Sequence, residues 1–294
     1  MNDQQTGGAI VVGVDGSQQA GVAVRWAAAE AQMSGVPVDL VYAVRPPIVT
    51  WPLAPTDELA AECERQNAED TLNHARAAAL AGDGAANPPD VRTEVIRDSA
   101  LGALIEASET ARMVVVGSRG TGGFPRLKLG SVSAGLIRHA HCPVTVVHSQ
   151  MGVLPDVAAP VLVGVDGSPA SEAATAFAFE EASRRGVELE ALHVWHDRAG
   201  REPRGGSWSD IEQQAAEILA ERLAGWQEQF PDVPVRRHIE FDEPSRRLVE
   251  RSRSAQLVVV GSHGRGGFSG MLLGSVSSTV AQSVDVPVTV VRPH

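Results

Sequence analysis

Short apolar runs and longer amphipathic stretches alternate along the chain. Ala9 to Val14 is a continuous apolar run closed by Asp15-Gly16, which predicts a buried strand. Ser17 stands where a helix N-cap belongs, and Ala20, Val24, Ala27, Ala28 and Ala31 recur on one helical face. Pro37 to Val44 predicts a second strand. A proline-rich loop, Arg45 to Thr56, leads to a long polar helix over Asp57 to Leu80 and a loop over Asp83 to Pro89. Val91 to Arg97 alternates as a strand near a sheet edge does, and Leu101 to Glu109 predicts a short helix. Met113 to Val116 is a fourth strand. A glycine-rich loop, a helix from Ser131 to Arg138 and a fifth strand, Pro143 to His148, complete the series.

Strands that alternate with helices pair in parallel through right-handed crossovers. The expected fold is therefore α/β, a doubly wound five-stranded parallel sheet of strand order 3-2-1-4-5. Strand order reverses between strands 1 and 4, and ligands bind beyond the carboxyl ends of the strands at such a switch point. The loops leaving those ends are Asp15-Gly16-Ser17 and Gly117 to Gly130, so segments distant in sequence are expected to meet.

The whole pattern returns. Val12-Gly13-Val14-Asp15-Gly16-Ser17 recurs as Val163-Gly164-Val165-Asp166-Gly167-Ser168, an offset of 151 residues. Gly117-Ser118-Arg119-Gly120, nine residues and Gly130-Ser131 recur as Gly261-Ser262-His263-Gly264, nine residues and Gly274-Ser275, an offset of 144. Cys142-Pro143-Val144-Thr145-Val146-Val147 matches Val286-Pro287-Val288-Thr289-Val290-Val291 at the same 144. A period this long means tandem domains, here 1–150 and 151–294, with Met151 to Pro160 as linker. The second copy is shorter by seven residues, expected in the loop and helix after its second strand, where the halves look least alike.

Composition narrows the function. A chain of 294 residues divides into two domains of ordinary size. No apolar run approaches the ~18 residues of a membrane span. Met1 to Thr6 is short and polar, without the pattern of a signal peptide, so the expected location is the cytoplasm, with Cys63 and Cys142 as free thiols. A net charge of −11 disfavours nucleic acid as a partner, because phosphate backbones select basic faces. Lys128 is the single lysine, which excludes any mechanism needing a lysine in both halves.

A strand, a glycine-rich loop and a helix N-terminus together make a phosphate cradle. Free backbone N–H groups and the positive end of the helix dipole converge there. Gly117, Gly120 and Gly130, with Gly261, Gly264 and Gly274, would let the backbone approach phosphates without a Cβ in the way. The competing reading is a tight surface turn, and the repeated spacing favours the cradle. Ser131 and Ser275 would cap the helix and bond a phosphate oxygen, and a plain cap is the competing reading. Ser133 and Ser277 lie two residues on and could also donate. Arg119 and His263 hold equivalent places in the two loops, as do Thr121 and Arg265, so the sites are expected to differ in affinity. The charged side chains there either pair with a phosphate or are simply solvated.

His139, His141 and Cys142 suggest a metal set, but Ser283-Val284-Asp285-Val286 stands there in the second half. A helix end running into a strand is the better account, and no metal site is expected. Trp51 and Trp208 lie in or near the loops after strand 2, where covering a nucleotide is one reading and core or loop packing the preferred one.

These residues resemble the universal stress protein family, in its ATP-binding branch. The marks are the Val-Asp-Gly-Ser turn, the spaced glycines with their serine, and the terminal Cys-Pro-Val strand. Both halves match without gaps, and tandem-domain members of actinobacterial type are the most similar. The resemblance implies ATP, with Mg²⁺, in each half. It implies that Asp15 and Asp166 contact the ribose side, the alternative being turn aspartates. It also implies that main-chain groups at Ala43 and Val194 read adenine, with Val14 and Val165 against the ring. Val132 and Val276, between the serines, complete the set. A nucleotide-dependent regulator of stress response, dormancy or growth control is implied, with a regulatory protein as a partner.

Two other functions compete. An ATPase or phosphotransferase needs charge placed around the γ-phosphate and a group to orient the nucleophile. No Walker A sequence is present, Leu272 replaces Lys128, and no repeated base stands out beyond the two aspartates, so at most slow hydrolysis is expected. A nucleotide-independent interaction module would leave the loops structural, against the retained spacing. The resemblance implies further that strand 5 edges, Pro143 to His148 and Pro287 to Arg292, pack the halves as a pseudo-dimer, with a homodimer of the whole chain in addition.

Overall fold

The computed structural model describes residues 8–45, 56–81, 88–122, 128–148, 153–195, 208–264 and 272–293, with side chains of the two long helices described from 61 and 212. It divides into two compact units, Met1–Val153 and Leu154–His294.

The first unit runs β1 (Ile10–Gly13), α1 (Gln18–Ser34), β2 (Val38–Ala43), α2 (Thr56–Leu80), β3 (Val91–Ile96), α3 (Ala100–Ala107), β4 (Met113–Gly117), α4 (Ser131–His139) and β5 (Val144–Val147). Its strands lie in the order β3-β2-β1-β4-β5, each pair parallel. The central strands are buried on both faces, as apolar runs between two helical layers must be. β3 lies at the edge, and its residues 92–95 are exposed.

The second unit runs β6 (Val161–Gly164), α5 (Pro169–Arg185), β7 (Leu189–Trp195), α6 (Trp208–Gln229), β8 (Val235–Phe241), α7 (Pro244–Arg251), a 3₁₀ turn, β9 (Leu257–Gly261), α8 (Ser275–Ser283) and β10 (Val288–Val291). Its order is β8-β7-β6-β9-β10, again parallel. The missing residues come after the start of the helix that follows the second strand, not from the loop before it. α6 has 22 residues against 25 in α2, and its connection to the next strand is shorter too.

Local chemistry sets the helix that leads away from each first strand. Ser17 is the N-cap of α1, its Oγ accepting from Ala20 N at 3.1 Å. Ser168 does the same for α5 with Ser171 N at 3.2 Å, and Pro169 takes the first helical position. Gly16 and Gly167 turn the chain with φ of 80° and 77°, a region that side chains resist. Gly35 and Gly186 end the two helices in the left-handed conformation.

The Cys142 segment is a helix end and strand entry. His139 closes α4, and Cys142 is buried at the entry to β5, where burial pushes its thiol up to about 12. Cys63 is exposed and also a free thiol. Among the described residues no three His, Cys, Asp or Glu side chains gather as a metal set, and no helix is long and apolar enough to cross a membrane.

Candidate functional site

Each unit has a cleft where its strand order reverses. In the first, β1 ends at Gly13, paired with Val41, while β2 continues to Ala43. Val14 N still donates to Val41 O at 3.0 Å, and there the chain turns away into α1. Alternate residues of a strand direct their main-chain groups to alternate sides. Val41 faces β1, so Ala43 directs its N–H and C=O to the same side, beyond the end of β1. The second unit repeats this: Val165 N donates to Leu192 O at 2.8 Å, and Val194 lies two residues further on.

The opposite wall is the glycine loop. Ser118 N is held by Val147 O at 3.1 Å, and Gly130 N returns to Ser118 O at 2.7 Å, closing the loop at its base. In the second unit Ser262 N reaches Val291 O and Gly274 N reaches Ser262 O, both at 2.7 Å. Asp15 ties the two walls together. Its Oδ1 accepts from Ser17 N at 3.0 Å and its Oδ2 from Thr121 N at 2.9 Å. Ser17 Oγ donates to Arg119 O at 3.4 Å. Asp166 accepts from Ser168 N at 2.9 Å, and Ser168 Oγ donates to His263 O at 3.0 Å.

The predicted turn, strand-end and glycine-loop residues of the first half line one cleft: Val14, Asp15, Ala43, Gly117, Arg119, Gly120, Gly130, Ser131, Val132 and Ser133. The same holds for Val165, Asp166, Val194, Gly261, His263, Gly264, Gly274, Ser275, Val276 and Ser277 in the second. The clefts differ in size, about 600 Å³ in the first and about 230 Å³ in the second. The first lies within the roughly 300–1,000 Å³ usual for small-molecule sites and the second below it. Ser171, which lines the second cleft, stands where the first has Ala20. Trp51 and Arg265 lie outside the described residues, as does the side chain of Trp208.

Several roles change in three dimensions. A Cβ on Gly117 would lie 2.8 Å from the carbonyl carbon of Gln19 and 3.0 Å from Ala20 N. On Gly261 it would lie 2.6 Å from the same atom of Ala170. The space these glycines leave is filled by the first turn of α1 or α5, not kept for a ligand. A Cβ on Gly120 would collide with the Asp15 carboxylate, and one on Gly264 would lie 2.5 Å from Asp166 Oδ2. Gly120 thus admits the carboxylate that latches the first loop through Thr121 N, and Gly264 leaves room for Asp166.

The serines differ from the expected caps as well. The N-caps of α4 and α8 are Gly130 and Gly274, without a side-chain capping bond. Ser131 and Ser275 are exposed at the first helical position. Ser133 and Ser277 are buried, and their hydroxyls donate to the protein: Ser133 to Ser118 O at 3.1 Å, Ser277 to Gly261 O at 2.5 Å. What faces each cleft is a helix N-terminus whose first N–H groups have no side-chain acceptor, the arrangement that binds anions.

Leu104 and Leu248 also line the clefts, and sequence reasoning about chemistry passed over them. They come from α3 and α7 and pack over the strand ends, where Gly13 and Gly164 leave room. Their signal was the repeat itself, since they stand 144 residues apart at equal helical positions.

Comparison with known proteins agrees with this architecture. The profile described as the universal stress protein family matches residues 8–148 and again 159–292. A universal stress protein of Mycolicibacterium smegmatis is 50% identical over 285 residues, covering 97% of each chain. One of Mycobacterium tuberculosis is 48% identical over 284 residues, covering 96% of each. Among solved structures, a universal stress protein from Archaeoglobus fulgidus aligns with a TM-score of 0.68 at 21% identity, covering 97% of this chain and 96% of the other.

Proposed function

The chain belongs to the universal stress protein family, and from that premise we propose that each unit binds ATP and that the protein acts as a nucleotide-dependent regulator. One observation carries the reading. In each cleft a glycine-capped helix N-terminus faces a strand end whose main-chain donor and acceptor are turned toward the same space. Phosphates fit the helix end, where backbone N–H groups and the dipole favour negative charge. An adenine edge offers one acceptor and one donor side by side, which suits the N–H and C=O of Ala43 or Val194. The apolar walls, Val14 with Leu104 and Val165 with Leu248, suit a ring. Mg²⁺ would be held mainly by the phosphates.

The regulatory reading is preferred to catalysis because Asp15 holds a backbone N–H on each carboxylate oxygen, a structural role in latching the loop, and because among the described residues no other carboxylate or histidine lines both clefts at equivalent positions to serve as general base. Regulation requires that bound and free states differ in affinity for something else. A protein partner in the cytoplasm or a second copy of the chain would meet that need, and stress response, dormancy or growth control is the setting the family suggests.

The test uses charge at the exposed first helical position. Ser131→Asp and Ser275→Asp suit the helix dipole but repel phosphate. Mass analysis of nucleotide released by denaturing freshly purified protein is expected to give about two ATP per chain, and about one in each variant. Protein that carries no nucleotide and takes up none from ATP with Mg²⁺ would overturn the proposal.

A further inference from the structure

The two clefts differ at one position against the helix N-terminus. In the first unit the Cβ position of Gly130 lies 3.5 Å from the Arg119 Cα, and in the second that of Gly274 lies 3.4 Å from the His263 Cα. Each of these residues thus starts beside the N-cap of α4 or α8, where an anion would sit. Arg119 brings a charge that does not titrate in the physiological range. His263 brings an imidazole, the group whose charge changes there.

His263 is held by the protein on both sides of its Cα. Its carbonyl accepts from Ser168 Oγ at 3.0 Å, and its Nδ1 lies 3.1 Å from the Oγ of Ser262, a buried serine. A hydroxyl both donates and accepts, so this contact serves the neutral and the protonated ring alike. The charged groups on the neighbouring elements are Asp166, at the turn after β6, the positive end of α8, Arg292, bonded to Leu272 O at 2.9 Å, and Arg222, over Gly167 with Glu172 beside it at 3.5 Å. Arg265, next but one in the loop, is outside the described residues. A phosphate bound at the start of α8 would add negative charge beside this residue, and a nearby negative charge favours the protonated imidazole.

We propose that His263 is a proton-coupled phosphate-binding residue, so that the second cleft takes up a proton from solvent with its nucleotide while the first, with Arg119, does not. The inference rests on the reading of both clefts as ATP sites. It makes the two halves answer differently to acidification, one cleft being charged permanently and the other only when protonated. The sign follows from linkage. A ligand that raises the affinity of a group for its proton binds more tightly at low pH. The advantage is complete below the pKa of the free imidazole and disappears as pH rises through that of the bound one, the slope reaching about tenfold per pH unit for one whole proton.

The experiment is calorimetric titration of full-length protein with Mg-ATP from pH 6 to 8, in buffers of different ionisation heat. Ser131→Asp isolates the second cleft and Ser275→Asp the first. The second cleft is expected to take up a proton fraction that the first does not, and to gain several-fold in affinity over the first between pH 8 and pH 6. Measuring the difference between clefts removes the titration of ATP itself. His263→Arg should abolish the excess uptake, and Arg119→His should create it in the first cleft. His263→Asn, neutral and still able to bond Ser262, should lose the gain at pH 6. ATP binding in both clefts with equal proton uptake, or uptake unchanged in His263→Arg, would overturn this inference and leave the nucleotide reading standing. Absence of ATP binding in either cleft would overturn both.

Discussion

Replacing Gly117 by alanine separates packing from ligand contact. The added Cβ would stand 2.8 Å from the Gln19 carbonyl carbon, 2.9 Å from Gln19 Cβ and 3.0 Å from Ala20 N. Two of these atoms belong to the backbone of the first turn of α1, which cannot swing aside as a side-chain tip would. Overpacking of this kind costs about 1–3 kcal/mol. Lower backbone entropy in the unfolded chain returns about 0.4–1 kcal/mol. The net loss is therefore about 1–2 kcal/mol, and at roughly 2–4 °C per kcal/mol for a unit of this size Tm should fall by about 2–8 °C. Gly130→Ala is the control. Its Cβ would meet nothing closer than 3.5 Å, and its φ of −77° and ψ of 168° suit alanine. A small capping loss opposes the same entropic gain, so its Tm should move by no more than about 2 °C. The assay is thermal and urea unfolding of protein stripped of nucleotide. Gly117→Ala with an unchanged Tm and lost ATP binding would refute the packing argument, because the glycine would then be keeping space for the ligand.

Asp15→Asn turns an amide donor toward one of two backbone N–H groups, Ser17 or Thr121, and should unlatch the loop; amide exchange at Thr121 is expected to speed up by tenfold or more, about the loss of one charge-assisted hydrogen bond. Cys142, with its thiol pushed up to about 12 by burial, should resist a thiol reagent at pH 8 in the folded protein while exposed Cys63 reacts; equal rates for both would count against the packing around β5. His238 lies in a charged cluster between β8, β7 and α7, where burial and then Arg251 hold its imidazole below the ordinary value. Its unfolded form therefore binds the proton more readily, so stability is present above about pH 6.5 and declines as pH falls through that value. The second unit should accordingly unfold at lower urea at pH 5.5 than at pH 7.5, and His238→Gln should shrink that difference; an undiminished difference would point to other groups.

Much of this was legible in order along the chain. Apolar runs such as Met113 to Val116 gave strands, and Asp-Gly-Ser turns gave a left-handed glycine followed by a serine cap, because a dihedral angle or a cap is decided within a few residues. The repeat marked the two units, and the candidate turn, loop and strand-end residues that the structure describes line the two clefts. The roles of individual residues were less legible. Serine is a good cap, which favours Ser131 on local grounds, yet the chain turns one residue earlier and leaves Gly130 there.

By itself, then, the sequence determined the elements, their doubling and the two loops that meet at each switch point, all of which follow from periodicity and local backbone preference. Only the tertiary structure decided what occupies the space beside each glycine. Gly117 yields to a helix turn about one hundred residues earlier in the chain, and Gly120 to the Asp15 carboxylate that holds Thr121. Such contacts are fixed by how crossovers stack distant segments to within a few tenths of an ångström, and close packing, unlike helix capping, has no local signature in the chain.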